Sequence, residues 1–153
     1  CTQKNPALFN RIALTLPEKQ FLWIGDGELR GDLTAPNIQI TGWVDRAQAL
    51  QLAYDADIFL LTSRWEGLPV SLLEAMYMKK LCVVSNVIGN RDVIKNGKNG
   101  FVCDTAEEYK MAIQCEKEVQ EKLTEQAFED LLENHTTAVM AEKYRKLYEK
   151  SLK

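Results

Sequence analysis

Histidine, proline and glycine are scarce in this chain: one His, four Pro and eight Gly, with no low-complexity tract. His135 has no companion at metal-ligand spacing, and the four cysteines, Cys1, Cys82, Cys103 and Cys115, contain no C-x-x-C pair. That pattern speaks against a zinc site. No run approaches the roughly 18 apolar residues of a membrane span. The opening CTQKNPALF has none of the features of a secretory signal. An excess of positive charge is missing too. The 19 Lys and Arg stand against 22 Asp and Glu, a net charge of -3, which creates no field for a nucleic-acid backbone or an anionic membrane. What remains is 153 residues, 46% hydrophobic and 27% charged, proportions expected of one soluble, folded domain over 1–153. Cys82 and Cys103 lie inside the apolar runs LCVVS and GFVCD, where free cysteine acts as a small buried hydrophobe. A reducing, cytoplasmic setting fits that usage.

Apolar runs of strand length alternate with segments of helical spacing. The strands read as unbroken hydrophobic stretches, as when both faces of a parallel sheet are covered. Strands are predicted over 20–24, 38–41, 57–62, 81–85 and 100–103, and helices over 6–16, 48–54, 69–78 and 92–95. A further helical region runs from 106 to the end, with apolar positions at Leu123, Phe128, Leu131, Leu132, Val139, Met140, Tyr144, Leu147 and Tyr148. These are amphipathic helices expected to close over the sheet. Short connections favour right-handed crossovers and a doubly wound α/β sheet of about five or six strands, flanked by helices.

Such sheets bind ligands where the loops gather at the carboxyl ends of the strands. Three of those loops are chemically unusual: IGDGELR, TGWVDR and TSRWEGLPVSLLEA. In the third, Pro69 suits the first position of a helix. The amides and positive dipole end at that helix start would face the cleft, favouring phosphate. Gly67 admits close approach of a ligand to the backbone. Glu66 in the loop and Glu74 about five residues into the helix present two carboxylates at different depths, and a carboxylate accepts two hydrogen bonds from a vicinal diol. On spacing alone a glutamate near a helix start is equally a structural residue favoured by the dipole, and both readings stand.

The surrounding residues are more specific. The run SRWEGLPVSLLEAM resembles the signature of the retaining GT-B glycosyltransferases of family four, with two glutamates, a G-x-P turn and E-A-M. IGDGELR resembles that family's glycine loop, TGWVDRAQALQLAYDADIFLLTS its G-x-V segment and following strand, and VVSNVIGNRDVIKNGKNGFV its next glycine turn and closing N-G. The motifs occur in order over about residues 1–103, and YRKLYEK resembles the last helix.

The resemblance implies a Rossmann-like domain, the C-terminal half of a GT-B fold, that binds a nucleoside-diphosphate sugar as substrate. It implies catalytic roles for Glu66, directed at the transferred sugar and its diphosphate, and Glu74, at the ribose hydroxyls. Lys4 resembles the lysine that neutralises the donor diphosphate. Gly25 and Gly27 would admit the diphosphate, Trp43 and Val44 would line the base pocket, and the amides of Gly67, Leu68 and Val70 would hold sugar and phosphate. Trp43 is as readily a core residue, and Gly25 and Gly27 as readily turn residues. Arg64 and Arg91 sit on nearby loops and read as solvated or structural. No metal or cofactor is implied. The family's upstream arginine, the first strand of this domain and the whole acceptor domain are absent from the sequence, so the chain reads as a fragment, inactive alone. The missing acceptor half is then its partner, and any membrane contact belongs to that half. Transfer of a hexosyl group to an acceptor hydroxyl, in surface polysaccharide synthesis, is the implied reaction. After EAM the run Tyr77-Met78-Lys79-Lys80 departs from the family's small residue and Gly-x-Pro.

Two alternatives come from the residues themselves. GDGELR has the G-x-G of an NAD-binding fingerprint but Arg30 where the third glycine belongs. Glu66 and Glu74 could also serve as the acid and base of a glycosidase, a mechanism that depends on a carboxyl separation sequence spacing does not give. A nucleotide-binding module without transfer activity is the third reading. The base, the sugar and the acceptor are not legible.

Overall fold

The computed structural model describes residues 2–151, apart from the side chains of residues 143, 147, 150 and 151. Cys1 and the side chain of Leu147, both singled out in the sequence, lie outside that description. Five strands alternate with helices. They are α1 (Pro6–Thr15), β1 (Phe21–Trp23), β2 (Ile38–Ile40), α2 (Arg46–Asp55), β3 (Ile58–Leu61), α3 (Val70–Tyr77), β4 (Leu81–Ser85), α4 (Ile88–Val93), β5 (Phe101–Cys103), α5 (Ala106–Ile113), α6 (Lys117–Asn134) and α7 (Thr137–Ser151).

All five predicted strands are present and every pairing is parallel. The expected continuous sheet is instead two ladders, β1-β2 and β3-β4-β5, with no strand pairing between β1 and β3. One hydrophobic cluster nevertheless spans both, joining Phe21 and Trp23 of β1 to Ile58, Leu60, Leu81 and Val83. Side chains of β4 alternate between the two faces. Leu81 and Val83 pack with α1 and α5, and Cys82 and Val84 with α3 and α6. Burial on both faces is why LCVVS is apolar at almost every position.

Local chemistry sets the helix ends. Asp45 caps α2 with Gln48 in a reciprocal capping box, and Thr105 does the same for α5 with Glu108. Pro69 stands one position earlier than expected, at the N-cap of α3 rather than inside it. Beyond α3, Lys79 takes a left-handed φ of 53°. Its amide bonds to Met76 O and that of Lys80 to Ala75 O, the paired bonds that usually need glycine at this point. This is how the turn closes without Gly-x-Pro. α4 begins four residues before the expected 92, because Gly89 and Asn90, read as a turn, are helical and buried.

Two buried polar side chains tie layers together. Asn37 Nδ2 donates to the carbonyls of Ala13, Leu16 and Lys19 at 3.0, 3.0 and 2.9 Å. The Tyr109 hydroxyl donates to Leu61 O at 2.8 Å. Of the C-terminal helices, α6 packs on α3 and β4 and buries Leu123 and Leu131. The expectation fails for α7, whose Met140, Tyr144 and Tyr148 are exposed. Its main packing is against α6.

Candidate functional site

The loop from β3 to α3 is built from below. Thr62 and Ser63, at the exit of β3, are buried. The Thr62 hydroxyl donates to Lys4 O at 2.7 Å, and the amide of Arg64 donates to Gln3 O at 2.8 Å. These bonds clamp residues 3 and 4 against the strand exit, so Lys4 is fixed by its backbone. Its ammonium stands 2.7 Å from Oε1 of Glu66, whose side chain is only 8% exposed. Gln3 Nε2 donates to Trp65 O at 3.1 Å and to Glu66 Oε2 at 3.4 Å. Two residues from the far N-terminal end thus hold both oxygens of one carboxylate.

Glu74, on the second turn of α3, is paired with the guanidinium of Arg46. Arg46 opens α2, directly after the loop that carries Trp43 and Val44. Trp43 is 83% exposed and so is not a core residue. The same loop is joined to the first glycine loop by a bridge between Gly25 and Gly42, and the Gly25 amide donates to Thr41 Oγ1 at 3.0 Å. Both glycines need their positive φ, 122° and 71°. The contacts therefore chain together the Lys4, Gly25, Trp43 and Glu66–Glu74 segments at the carboxyl ends of the strands, the ligand-binding edge of such sheets.

At the start of α3 the amides of Leu72 and Leu73 bond to Pro69 O. Among the described residues, no acceptor takes the amides of Gly67, Leu68 or Val70. They are free to bind an anion or a hydroxyl at a helix start. The two glycine amides proposed for the diphosphate differ. That of Gly25 is already on Thr41, and that of Gly27 is 2.8 Å from Asp26 Oδ1. A bound phosphate would have to displace Asp26 from Gly27.

Lys4, Arg46, Glu66 and Glu74 together carry no net charge, so an anionic ligand entering here meets two cations and free amides rather than bare carboxylates. Sequence reading missed Arg46 and Asp26. A basic residue at the first position of α2, next to the Trp43 loop, is the only local signal for Arg46. Arg64 and Arg91 are both exposed, and Arg91 lines an open depression of about 810 Å³ between β5, α4 and α5 that contains none of the predicted site residues. Cys82 and Cys103 are buried free thiols. Burial pushes each up to about 12, and both belong to the hydrophobic clusters of the core.

Residues 4–120 match the sequence profile of the family described as glycosyl transferases group 1. The chain is 35% identical over 117 residues to a UDP-Gal:alpha-D-GlcNAc-diphosphoundecaprenol alpha-1,3-galactosyltransferase of Escherichia coli, covering 67% of this chain and 30% of that protein. It superposes on the C-terminal domain of a glycosyl transferase group 1 family protein from Francisella tularensis with a TM-score of 0.76 at 18% identity, covering 90% of this chain and 82% of that one. Anabaena HepE, solved in complex with UDP-glucose, superposes with a TM-score of 0.77 at 18% identity over 96% of this chain and 45% of that one. The shared fold is the Rossmann-like C-terminal half of GT-B transferases. The chain spans about 30% of the length of the Escherichia coli relative.

Proposed function

The chain belongs to the glycosyl transferases group 1 family, and on that premise we propose that it is the donor-binding half of a retaining transferase. The parent enzyme passes a hexosyl group from a nucleoside-diphosphate sugar to an acceptor hydroxyl. The observation that carries this reading is that Glu66 and Glu74, each held by a cation, stand on either side of one helix start with free amides. A ribose diol suits Glu74 and a sugar hydroxyl Glu66, since each carboxylate is an acceptor of several hydrogen bonds. Lys4 and the helix start neutralise the diphosphate as negative charge builds on the leaving group. Trp43, exposed beside Val44, offers a face for the base. No metal or cofactor takes part in this reading.

The two ladders, β1-β2 and β3-β4-β5, fit the doubly wound order 3-2-1-4-5-6 if its first strand stands between β1 and β3, the side on which Phe21 and Trp23 share a cluster with Ile58 and Leu60. We assign that place to a strand of the parent enzyme outside residues 1–153, and the acceptor site to its other half. UDP is the first nucleotide to test, because the Escherichia coli relative is named for UDP-Gal and the Anabaena neighbour holds UDP-glucose. The diphosphoundecaprenol in the former's name supports a surface polysaccharide acceptor. It also supports a parent enzyme working at the cytoplasmic membrane face through its absent half. Among the described residues no helix is long and apolar enough to cross a membrane.

Ligand-observed NMR against UDP, GDP, ADP, their sugar conjugates and NAD tests the reading. The expected result is binding of one nucleotide diphosphate that is lost in Glu74→Ala, with added affinity from the sugar that is lost in Glu66→Ala. Binding of NAD alone would replace the reading with a dinucleotide-binding one. Nucleotide binding unchanged in both variants would remove the glutamates from the site.

A further inference from the structure

α4 is short, yet Gly89 and Asn90 in its first turn are buried, Asn90 completely. Gly89 is helical and is not among the glycines with positive φ, so backbone freedom does not explain it. Helix propensity by itself favours alanine there. What excludes alanine is contact. A Cβ on Gly89 would lie 1.9 Å from the carbonyl oxygen of Gly67, 2.6 Å from that of Glu66 and 2.8 Å from the Glu66 carbonyl carbon. All three are backbone atoms, which cannot swing aside as the tip of a flexible side chain does.

A buried polar chain lies beside this contact. Asn90 Nδ2 donates to Ser85 O at 3.0 Å and to Ser85 Oγ at 3.1 Å, and Ser85 Oγ donates to Ser63 O at 2.5 Å. The exits of β3 and β4 and the first turn of α4 are thereby locked together three residues before Glu66. We propose that Gly89 and Asn90 are positioning residues that set where the Glu66–Gly67 segment stands. Gly89 does so through direct backbone contact, and Asn90 by holding α4 to the strand exits. The functional side of this inference rests on the nucleotide-sugar reading; the structural side does not. Because Glu74 is carried by α3 and Glu66 by the loop, shifting the loop weakens recognition of the sugar more than recognition of the nucleotide. Loss of one hydrogen bond to a carboxylate is enough for a roughly tenfold loss of affinity.

Amide NMR of Gly89→Ala tests this. Gly31→Ala serves as a control, since a Cβ at Gly31 meets nothing within 4 Å. The expected result in Gly89→Ala is shifts concentrated at residues 65–70, with β4 amides still protected from exchange, and no such shifts in the control. Affinity for a UDP-hexose falls roughly tenfold or more, and that for UDP falls less. Unchanged amides at 65–70 overturn the positioning, and equal losses for UDP and UDP-hexose overturn the functional side. If the unaltered chain binds no nucleotide, the amide shifts alone decide the positioning, while the failure belongs to the donor reading. Should Gly89→Ala not fold, Asn90→Ala carries the test, with smaller shifts expected over the same six residues and their absence overturning the inference.

Discussion

The ammonium of Lys4 and the carboxylate of Glu66 meet at 2.7 Å across 62 residues of sequence. The pair exists because the carbonyls of Gln3 and Lys4 are bonded to Arg64 and Thr62 at the exit of β3. A cation and an anion are thus delivered to one point by backbone contacts that neither side chain makes. On the proposed donor-binding reading, a diphosphate would share Lys4 with Glu66.

Lys4→Ala is expected to weaken binding of UDP and UDP-hexoses by about tenfold or more, the scale of one charge-assisted hydrogen bond. Lys4→Arg should restore part of the loss. Titration calorimetry on the three proteins measures it, and equal affinities would mean that Lys4 serves Glu66 alone.

Trp43→Ala should leave the urea midpoint nearly unchanged, within about 0.5 kcal/mol, as for an exposed residue away from the core. Loss of base stacking on the indole should cost about 1–3 kcal/mol of nucleotide affinity. A stability loss with unaltered affinity would reverse the assignment.

Asn37→Ala removes one amide that serves three carbonyls at the end of α1 and the turn after it. Leaving buried carbonyls without a donor costs about 1–3 kcal/mol. The variant should unfold at lower urea, and hydrogen exchange should show α1 fraying first.

Alkali should destabilise the domain through its buried thiols. Desolvation raises Cys82 from 9.0 to about 12, and desolvation with nearby Glu108 and Asp104 does the same to Cys103. Tyr109 is pushed upward too, chiefly by burial. The folded state holds these protons more tightly than the unfolded chain. Their contribution is therefore intact below about pH 9 and is lost as pH rises toward about 12. Urea midpoints across that window should fall, and fall less steeply in a Cys82→Ala, Cys103→Ala double variant; parallel curves would count against the thiols as a cause.

Much of this molecule was legible from neighbours along the chain. LCVVS predicted a strand buried on both faces, and the ordered motifs around Glu66 and Glu74 identified the family before any contact was known. Each of those signals is local, because strand and helix periods and capping bonds span only a few residues. The contacts that make a site of them are not. Lys4 on Glu66, Arg46 on Glu74 and Gly89 beneath Gly67 join segments that are 62, 28 and 22 residues apart, and no periodicity carries that information. The tertiary structure also leaves Met140, Tyr144 and Tyr148 of α7 exposed, although the sequence pattern of this helix is amphipathic. The sequence by itself determined which residues form elements and which chemistry the loops contain. Only the packing of α1, α2 and α4 around the strand exits decided which of those loops meet, since that depends on where the chain returns in space rather than on what lies beside each residue.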